Sequence, residues 1–323
     1  MPPSTIGRTA AVGAHRRPTP RGSAFEPLFR AVCFSAATAL LAALGGVLVS
    51  LAIGGWPAIS RFGLGFITSV TWDPVQDVYG AAGPIVGTLI TSALALLFAL
   101  PIAAGVAFFL VELCPPILRR PIGTAVELLA GIPSIVYGMW GLFVFAPVFS
   151  KWVELPAMSA APAGSTWQTL VQGIPNGSGI LAASIILAVM ILPFMAATLR
   201  ELLMAVPAQV RESAYGLGAT TGEVVMKVTL PYVRRGAIGA VMLGLGRALG
   251  ETMAVTFIIG NAHGLPKGMF DAGSTIASTI ANEFNEAGPL QSSALLALGL
   301  VLFVITFTVL ALARLLLRDQ ARL

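Results

Sequence analysis

The sequence predicts an all-α membrane protein with six transmembrane helices and both termini in the cytoplasm. Of its 323 residues, 56% are hydrophobic and only 10% are charged, and the mean hydropathy is +0.88. Soluble domains carry about 25% charged residues, so this chain lacks the charge that a water-facing surface needs. The charges are also missing from long runs, and about 20 apolar residues span a bilayer as a helix.

Six such runs are present. Four contain no Asp, Glu, Lys or Arg, and they lie within residues 31–60, 78–111, 155–199 and 287–313. A fifth, at 121–150, contains only Glu127. The sixth, at 236–260, contains only Arg247 and Glu251.

Glycine and proline set the predicted helix ends. The first helix covers about 31–53 and ends at the Gly-Gly-Trp-Pro sequence of residues 54–57, where Trp suits a membrane interface. The aromatic segment 58–80 is then expected along the outer membrane surface. The later helices are predicted at about 84–110, 121–148 with an interruption at Pro133, 179–199, 236–260, and from 289 to 313.

The basic residues set the orientation. With the N-terminus inside, 15 of the 19 Lys and Arg residues are cytoplasmic and three are outside, as the positive-inside rule requires. The net charge of +5 therefore indicates orientation in a plasma (inner) membrane, in contact with lipid, and not a nucleic-acid site.

This arrangement divides the chain into four parts. Residues 1–30 are predicted to be a disordered cytoplasmic tail, and 31–83 the first transmembrane helix with its outer interfacial segment. Residues 84–313 form the transmembrane core, which includes a cytoplasmic loop at 200–235. Residues 314–323 are the cytoplasmic C-terminus.

The 200–235 loop is predicted to hold two short helices with a hinge between them. Gly216 and Gly218 supply the freedom for a sharp turn. Thr220 and Glu223 form an S/T-x-x-E capping box that begins the second helix, and Pro231 is expected to end it. Apolar side chains lie along both helices, so a partner protein is expected to cover the loop.

The spacing in this loop resembles the EAA loop of ABC importer permeases, which is E-A-A, three residues, G, nine residues and I-x-L-P. Val228 stands at the Ile position. The other matching residues are Glu212, Ser213 (in place of Ala), Ala214, Gly218, Leu230 and Pro231. The resemblance implies a type I ABC importer permease fold, in which this loop docks on an ATPase subunit.

Other segments narrow the resemblance to the PstC-type permease of the high-affinity phosphate importer. They are the sequences at 72–74, 80–89, 127–141 and 244–261. The resemblance implies a PstA-type permease as heterodimer partner, a PstB-type ATPase dimer inside, and a PstS-type phosphate-binding protein outside. ATP and Mg would then be bound by the partner ATPase, and this chain would bind no cofactor. Phosphate rests on the resemblance alone, because molybdate or sulfate would suit the same residues.

Arg247 and Glu251 are the candidate residues of the substrate path. Charges inside a membrane are costly and usually face a cavity or each other. Residues four apart share one face of a helix, so the two are predicted to pair. A guanidinium also matches phosphate geometry, so a contact with the anion is favoured over a purely structural ion pair. Glu127, near the interface, is interpreted as structural.

Other function classes are less consistent with the sequence. No G-x-x-x-x-G-K-[ST] loop is present, so the chain has no ATPase site of its own. The two histidines, His15 and His263, lie outside the predicted spans, and His263 is expected to be solvated in an outer loop. An intramembrane metalloprotease or serine hydrolase is therefore disfavoured. A secondary transporter or channel stays the alternative, although neither would need a docking loop.

Overall fold

The computed structural model describes residues 25–319, with side chains over residues 26–315. Residues 1–24 of the predicted tail lie outside this range. The chain forms two compact units, Met1–Val49 and Ser50–Leu323. In the first unit, the described residues belong to the start of the first helix, where Arg30 and Glu26 form an exposed pair at 3.7 Å.

The described residues are almost entirely helical, apart from a two-stranded ribbon. In chain order the helices are α1 (Phe25–Phe62), α2 (Gly65–Thr68), α3 (Ala82–Phe108), α4 (Pro116–Ala130), α5 (Ser134–Trp140), α6 (Ala146–Phe149), α7 (Leu155–Ser159), α8 (Thr166–Leu170), α9 (Ile180–Met204), α10 (Ala208–Gly216), α11 (Thr221–Glu223), α12 (Leu230–Leu249), α13 (Met253–Thr256), α14 (Ile276–Glu283) and α15 (Pro289–Asp319). The strands are β1 (Trp72–Asp73) and β2 (Val78–Tyr79), which pair antiparallel. Turns of π-helix occupy Phe109–Leu113, Gly141–Phe145, Ser150–Glu154 and Val224–Thr229.

Five helices in the described part of the chain are long and apolar enough to cross a membrane. They are Glu26–Phe62, Ala82–Leu113, Ser134–Ser159, Ile180–Met204 and Pro289–Leu315. The predicted fifth span corresponds to α12, which is not among these five because its 20 residues include three arginines. The chain is therefore a multi-pass membrane protein, and the count of six spans stays a prediction.

The prediction that the first helix ends at residues 54–57 is wrong. Helix α1 continues through Pro57 to Phe62. Gly55 serves a close helix contact instead: a Cβ atom there would lie 2.9 Å from the Ala297 Cα atom of α15. Small residues let membrane helices approach in this way. The segment predicted as a surface run is therefore shorter, and it holds α2 and the ribbon.

Helices α3 and α9 form the centre of the Ser50–Leu323 unit. The buried face of α3 repeats a small residue every four positions, at Ala95, Ala99, Ala103 and Ala107. Residues four apart lie on one helix face, so α9 can pack closely along this alanine stripe. Van der Waals contact of this kind replaces the hydrophobic effect between helices in lipid.

The third predicted helix is interrupted at Pro133, as expected. Helix α4 ends at Ala130 and α5 begins at Ser134, immediately after the proline. The apolar span that follows runs from Ser134 to Ser159, which is later in the chain than the predicted 121–148. The amphipathic α4 therefore packs beside α9 as a separate element.

The loops at the N-terminal end of α9 are joined by backbone hydrogen bonds. The amides of Ile180 and Leu181 donate to the carbonyls of Asp271 and Met269 at 3.1 and 2.9 Å. The Ile276 amide donates to the buried Thr88 hydroxyl of α3 at 2.9 Å. The start of α3, the start of α9 and the loop before α14 therefore meet at this end.

Candidate functional site

Arg247 and Glu251 do not share a helical face, and this corrects the prediction that they pair. Helix α12 ends at Leu249, so Glu251 lies beyond the last helical residue. Its Oε1 atom accepts a hydrogen bond from the Ala254 amide at 3.2 Å, at the start of α13. Among the described residues, no ion pair links Arg247 to a carboxylate.

The exposed side chain of Arg247 instead lies over an aromatic ring. Its Cζ atom is 5.9 Å from the ring centroid of Phe194 on α9, within the range of a cation–π interaction. The arginine is thus held close to α9.

Two helix breaks belong to elements that pack together, and one of them begins three residues after Arg247. One separates α4 from α5 at residues 131–133, and the other separates α12 from α13 at residues 250–252. Helices α5 and α13 pack against each other at Gly138, where a Cβ atom would lie 3.0 Å from the Ala254 Cα atom. The Tyr137 hydroxyl donates to the Leu129 carbonyl across the first break at 2.9 Å. Non-helical backbone at membrane depth is tolerated where it is covered by protein or lines a cavity.

Glu127 forms an ion pair, which agrees with its structural interpretation. Its Oε1 atom lies 2.8 Å from Nη1 of Arg200 on α9. Gly123 makes room for this guanidinium, since a Cβ atom at that position would overlap it. The pair therefore joins α4 to α9 and leaves Glu127 out of the candidate path.

The 205–229 loop at the C-terminal end of α9 has the predicted hinge. Gly218 has a φ angle of +85°, which favours glycine. The capping box of Thr220 and Glu223 is present. The hydrogen bonds from Lys227 and Thr220 lower the pKa of the exposed Glu223 carboxyl to about 2. The start of the second helix is thus confirmed.

The prediction that Pro231 ends this second helix is wrong. The π-turn Val224–Thr229 continues into α12, which begins at Leu230 with Pro231 in its first turn. Proline lacks the N–H that the preceding helical turn would accept, and the π-turn directly before it is the local adjustment that lets the helix continue. The second helix of the loop and α12 are therefore one continuous helical element.

The residues that match the EAA pattern lie on the surface of this loop. Glu212 and Ser213 are exposed on α10, Ala214 is half-buried, and Gly218 is exposed at the hinge. Leu217 is the most exposed apolar residue here, with 89% of its surface accessible. Leu230 and Pro231 begin α12 on the far side of the loop.

Sequence reasoning missed the ion pair that holds this loop. Nη1 of Arg211 lies 3.2 Å from Oε1 of Glu112, with side chains 23% and 9% exposed. The two residues are 99 positions apart and join α10 to the end of α3. A charge at the end of an apolar run, as Glu112 is, was the available signal.

A second cluster lies at the N-terminal end of α9, and it corrects the expectation that His263 is solvated. His263 stacks on Trp72, with ring centroids 5.8 Å apart, and its Nε2 atom lies 3.0 Å from Oε1 of Glu283. Trp72 Nε1 and Gln291 Nε2 donate to Oε2 of the same carboxylate at 2.8 and 2.7 Å. Burial raises the pKa of Glu283, but these hydrogen bonds outweigh it and hold that pKa below its usual value.

Groups of three or more metal-ligating side chains are absent from the described residues. The candidate site consists of Arg247 beside the α12–α13 break, together with a separate loop that presents apolar and charged residues.

Residues 100–322 match the family described as binding-protein-dependent transport system inner membrane component. Solved structures support the same fold. A bacterial ABC transporter that imports the acidic polysaccharide alginate is similar with a TM-score of 0.57, at 18% identity, over 91% of this chain and 99% of that one. The MetNI methionine ABC transporter is similar with a TM-score of 0.53, at 18% identity, over 77% of this chain and 99% of that one. The chain has the fold of an ABC importer membrane subunit.

Curated relatives narrow the family. The phosphate transport system permease protein PstC of Pasteurella multocida is 53% identical over 90% of this chain and 91% of its own length. The PstC protein of Mesorhizobium japonicum is 52% identical over 97% of this chain and 96% of its own length. PstC 1 of Mycobacterium tuberculosis is 40% identical over 83% of this chain and 80% of its own length. The chain belongs to the PstC family of ABC importer permeases.

Proposed function

We propose that this chain forms half of the path for inorganic phosphate in an ATP-driven importer that receives phosphate from an extracytoplasmic binding protein. Its relatives are named as phosphate permeases. The observation that carries the proposal for the site is the exposed guanidinium of Arg247, which lies just before the break between α12 and α13. An arginine presents a planar fork of donors that suits phosphate.

The geometry of Arg247 suits a transient contact with an anion. A neighbouring carboxylate would occupy the donors of the guanidinium, and among the described residues none forms such a pair. The N–H groups are thus available to phosphate oxygens. Glu251, held at the α12–α13 break, adds a negative charge beyond the arginine, and this repels the anion and favours its release. Arg247 binds and Glu251 limits that binding.

The exposed face of α12 supports an assembly with a second permease. Tyr232, Leu243 and Arg247 are all exposed along this helix, although charges and polar groups at membrane depth are normally covered. A PstA-type chain would cover this face and complete the path between the two subunits.

The 205–229 loop is the proposed contact with a PstB-type ATPase dimer, which would hold ATP and Mg. Glu212→Lys should abolish ATP-driven uptake while the chain still inserts in the membrane, because the change affects docking and not the core. Gly218→Pro should do the same by stiffening the hinge. Glu286→Lys, a charge reversal at an exposed position of the other end, is the matched control. Full uptake in both loop variants would exclude this loop as the coupling element.

The sidedness of the proposal requires six spans in the inner membrane, with the loop in the cytoplasm. A single cysteine at position 227 should react only from inside, and one at position 267 only from outside, with an impermeant maleimide in intact cells. Labelling of both positions from the same side would contradict this topology.

Arg247→Lys tests the path itself. Lysine keeps the charge but loses the bidentate fork, so the assembled complex should persist while phosphate uptake falls. Arg235→Lys, at an exposed arginine of the same helix, should transport normally. Competition with sulfate and molybdate in the same assay identifies the oxyanion. Wild-type uptake by Arg247→Lys would remove the arginine from the path.

A further inference from the structure

The aromatic ring beneath Arg247 has no role in the sequence motifs. Phe194 is half-buried on α9, and its ring centroid lies 5.9 Å from the Arg247 Cζ atom. It follows Pro193, which is buried within the same helix. Since proline cannot donate a backbone hydrogen bond, the chain here keeps its helix at the expense of one bond.

The register between α9 and α12 brings this ring under the arginine. Gly244 is one turn before Arg247, and it packs on Met195, the residue after Phe194. A Cβ atom at position 244 would lie 2.7 Å from the Met195 sulfur, so the two helices approach as closely as a glycine allows. The separation of Arg247 from Phe194 therefore follows from the packing of Gly244 on the Met195 side chain, one turn away.

An aromatic ring and a carboxylate stabilise a nearby cation in different ways. The ring quadrupole attracts the guanidinium but carries no net charge, so it does not cancel the positive charge that an anion needs. The ring also accepts no conventional N–H hydrogen bond at the guanidinium edge, which leaves the planar fork free. A cation–π support thus orients an arginine without competing for its donors.

We infer that Phe194 is the positioning residue for Arg247, and that its ring holds the guanidinium edge toward the passing phosphate. This inference rests on the proposed function of Arg247. Phe194 acts through the arginine and does not itself contact the anion. An aliphatic side chain of similar size would fill the same space between α9 and α12 but would let the guanidinium move.

The test uses the whole importer, with both permeases, the ATPase and the binding protein, in proteoliposomes. We expect Phe194→Leu to lower the phosphate transported per ATP hydrolysed by about fivefold, the factor that corresponds to loss of one cation–π contact. Binding-protein-stimulated ATP hydrolysis should stay at the wild-type level, because the nucleotide site is on the partner. Phe194→Tyr keeps the aromatic face, so its phosphate transport per ATP hydrolysed should equal that of the wild type.

Phe98→Leu is the matched control. Phe98 is a half-buried phenylalanine on α3 that packs against the same apolar core, and its replacement should leave transport per ATP unchanged. Equal losses in Phe98→Leu and Phe194→Leu would mean that only packing is affected, and this would overturn the inference. A loss in Phe194→Tyr as large as that in Phe194→Leu would overturn it as well.

The two proposals fail in different ways. In an Arg247→Lys background, Phe194→Leu should cause little further loss, because the residue acts through the arginine. If Arg247→Lys is impaired but Phe194→Leu transports normally, the positioning role is wrong and the path through Arg247 stands. If Arg247→Lys transports normally, the proposed contact with phosphate fails first.

Discussion

At the N-terminal end of α9 the chain closes on itself, whereas at the C-terminal end helices α10 and α11 lie largely on the surface. The first end is joined by backbone hydrogen bonds between loops and by hydroxyls that are buried. The second is joined to the core by the Arg211–Glu112 pair and exposes Leu217. The first, closed end is therefore held together by many contacts within the chain, and the second, open end is held to the core by few.

Backbone-to-backbone contacts at the closed end should make it the more sensitive to added volume. Gly87 of α3 faces the Ser274 carbonyl so closely that a Cβ atom would overlap it. Backbone cannot move aside as a flexible side chain can, so we expect Gly87→Ala to cost about 1–3 kcal/mol or more. The loss should appear as a lower apparent melting temperature of the detergent-solubilised protein.

Gly105, on the same helix, is the control, because nothing lies within 4 Å of its added Cβ atom. Gly105→Ala should be neutral or slightly stabilising, by up to about 1 kcal/mol, since alanine favours helix. Equal melting temperatures for the two variants would show that the closed end is not rigid.

The ion pair that joins α10 to the end of α3 should have an intermediate effect. Glu112→Gln leaves Arg211 without its partner in a position only 23% exposed. We expect a loss of about 1–3 kcal/mol, less than for a fully buried pair because the arginine can still reach water. Hydrogen exchange should report it as faster exchange of the α10 amides, with α9 unchanged.

Lys227→Gln removes the exposed pair between Lys227 and Glu223, whose atoms are 2.9 Å apart. Exposed pairs contribute about 0–1 kcal/mol, so exchange in α10 should be unaffected. If Lys227→Gln accelerates exchange in α10 as much as Glu112→Gln does, the loop is held by many weak charge interactions and not by the Arg211–Glu112 pair.

Acid should affect the closed end through Glu283. Its pKa is held below the usual value by hydrogen bonds from His263, Gln291 and Trp72, which outweigh burial. A carboxyl with a lowered pKa in the folded state contributes stability above its unfolded pKa of about 4.3, and loses it as pH falls through the folded value. The melting temperature should therefore drop by a few degrees below about pH 4.

Glu283→Gln should remove that acid-dependent drop in melting temperature, and the variant should be less stable than the wild type near neutral pH. The comparison is made by melting curves of both proteins between pH 3 and 7. An identical acid profile in the variant would show that another carboxyl is responsible.

Much of the fold and of the 205–229 loop could be predicted from the sequence, because the signals are local. The apolar runs mark α3, α9 and α15, and the helix break at Pro133 and the Thr220–Glu223 cap depend on neighbouring residues only. The EAA spacing is local as well. These features need no knowledge of which helices meet.

Contacts between distant residues could not be predicted in this way. The Arg211–Glu112 pair joins residues 99 positions apart. Gly55 packs against α15 from within α1, although local rules predict that α1 ends there. The expected Arg247–Glu251 pair failed because periodicity assumes an uninterrupted helix, and α12 ends between the two. Phe194 was missed because a ring under a cation has no sequence signature.

The smallest expected effect on the stability of the chain is also the sharpest test of the open end. Leu217 is 89% exposed, so Leu217→Ser removes almost no intramolecular contact, and the melting temperature of the isolated chain should stay within the range of surface changes, about 0.5 kcal/mol. Val75, which is 95% exposed in the ribbon at the closed end, gives the matched change Val75→Ser.

If a partner ATPase covers only the open end, Leu217→Ser should weaken co-purification of that subunit in mild detergent, because a central apolar contact can dominate an interface. Val75→Ser should retain the ATPase fully. Loss of the ATPase in both variants, or in neither, would mean that the exposed leucine is not part of the docking surface, and that the open end is completed in some other way.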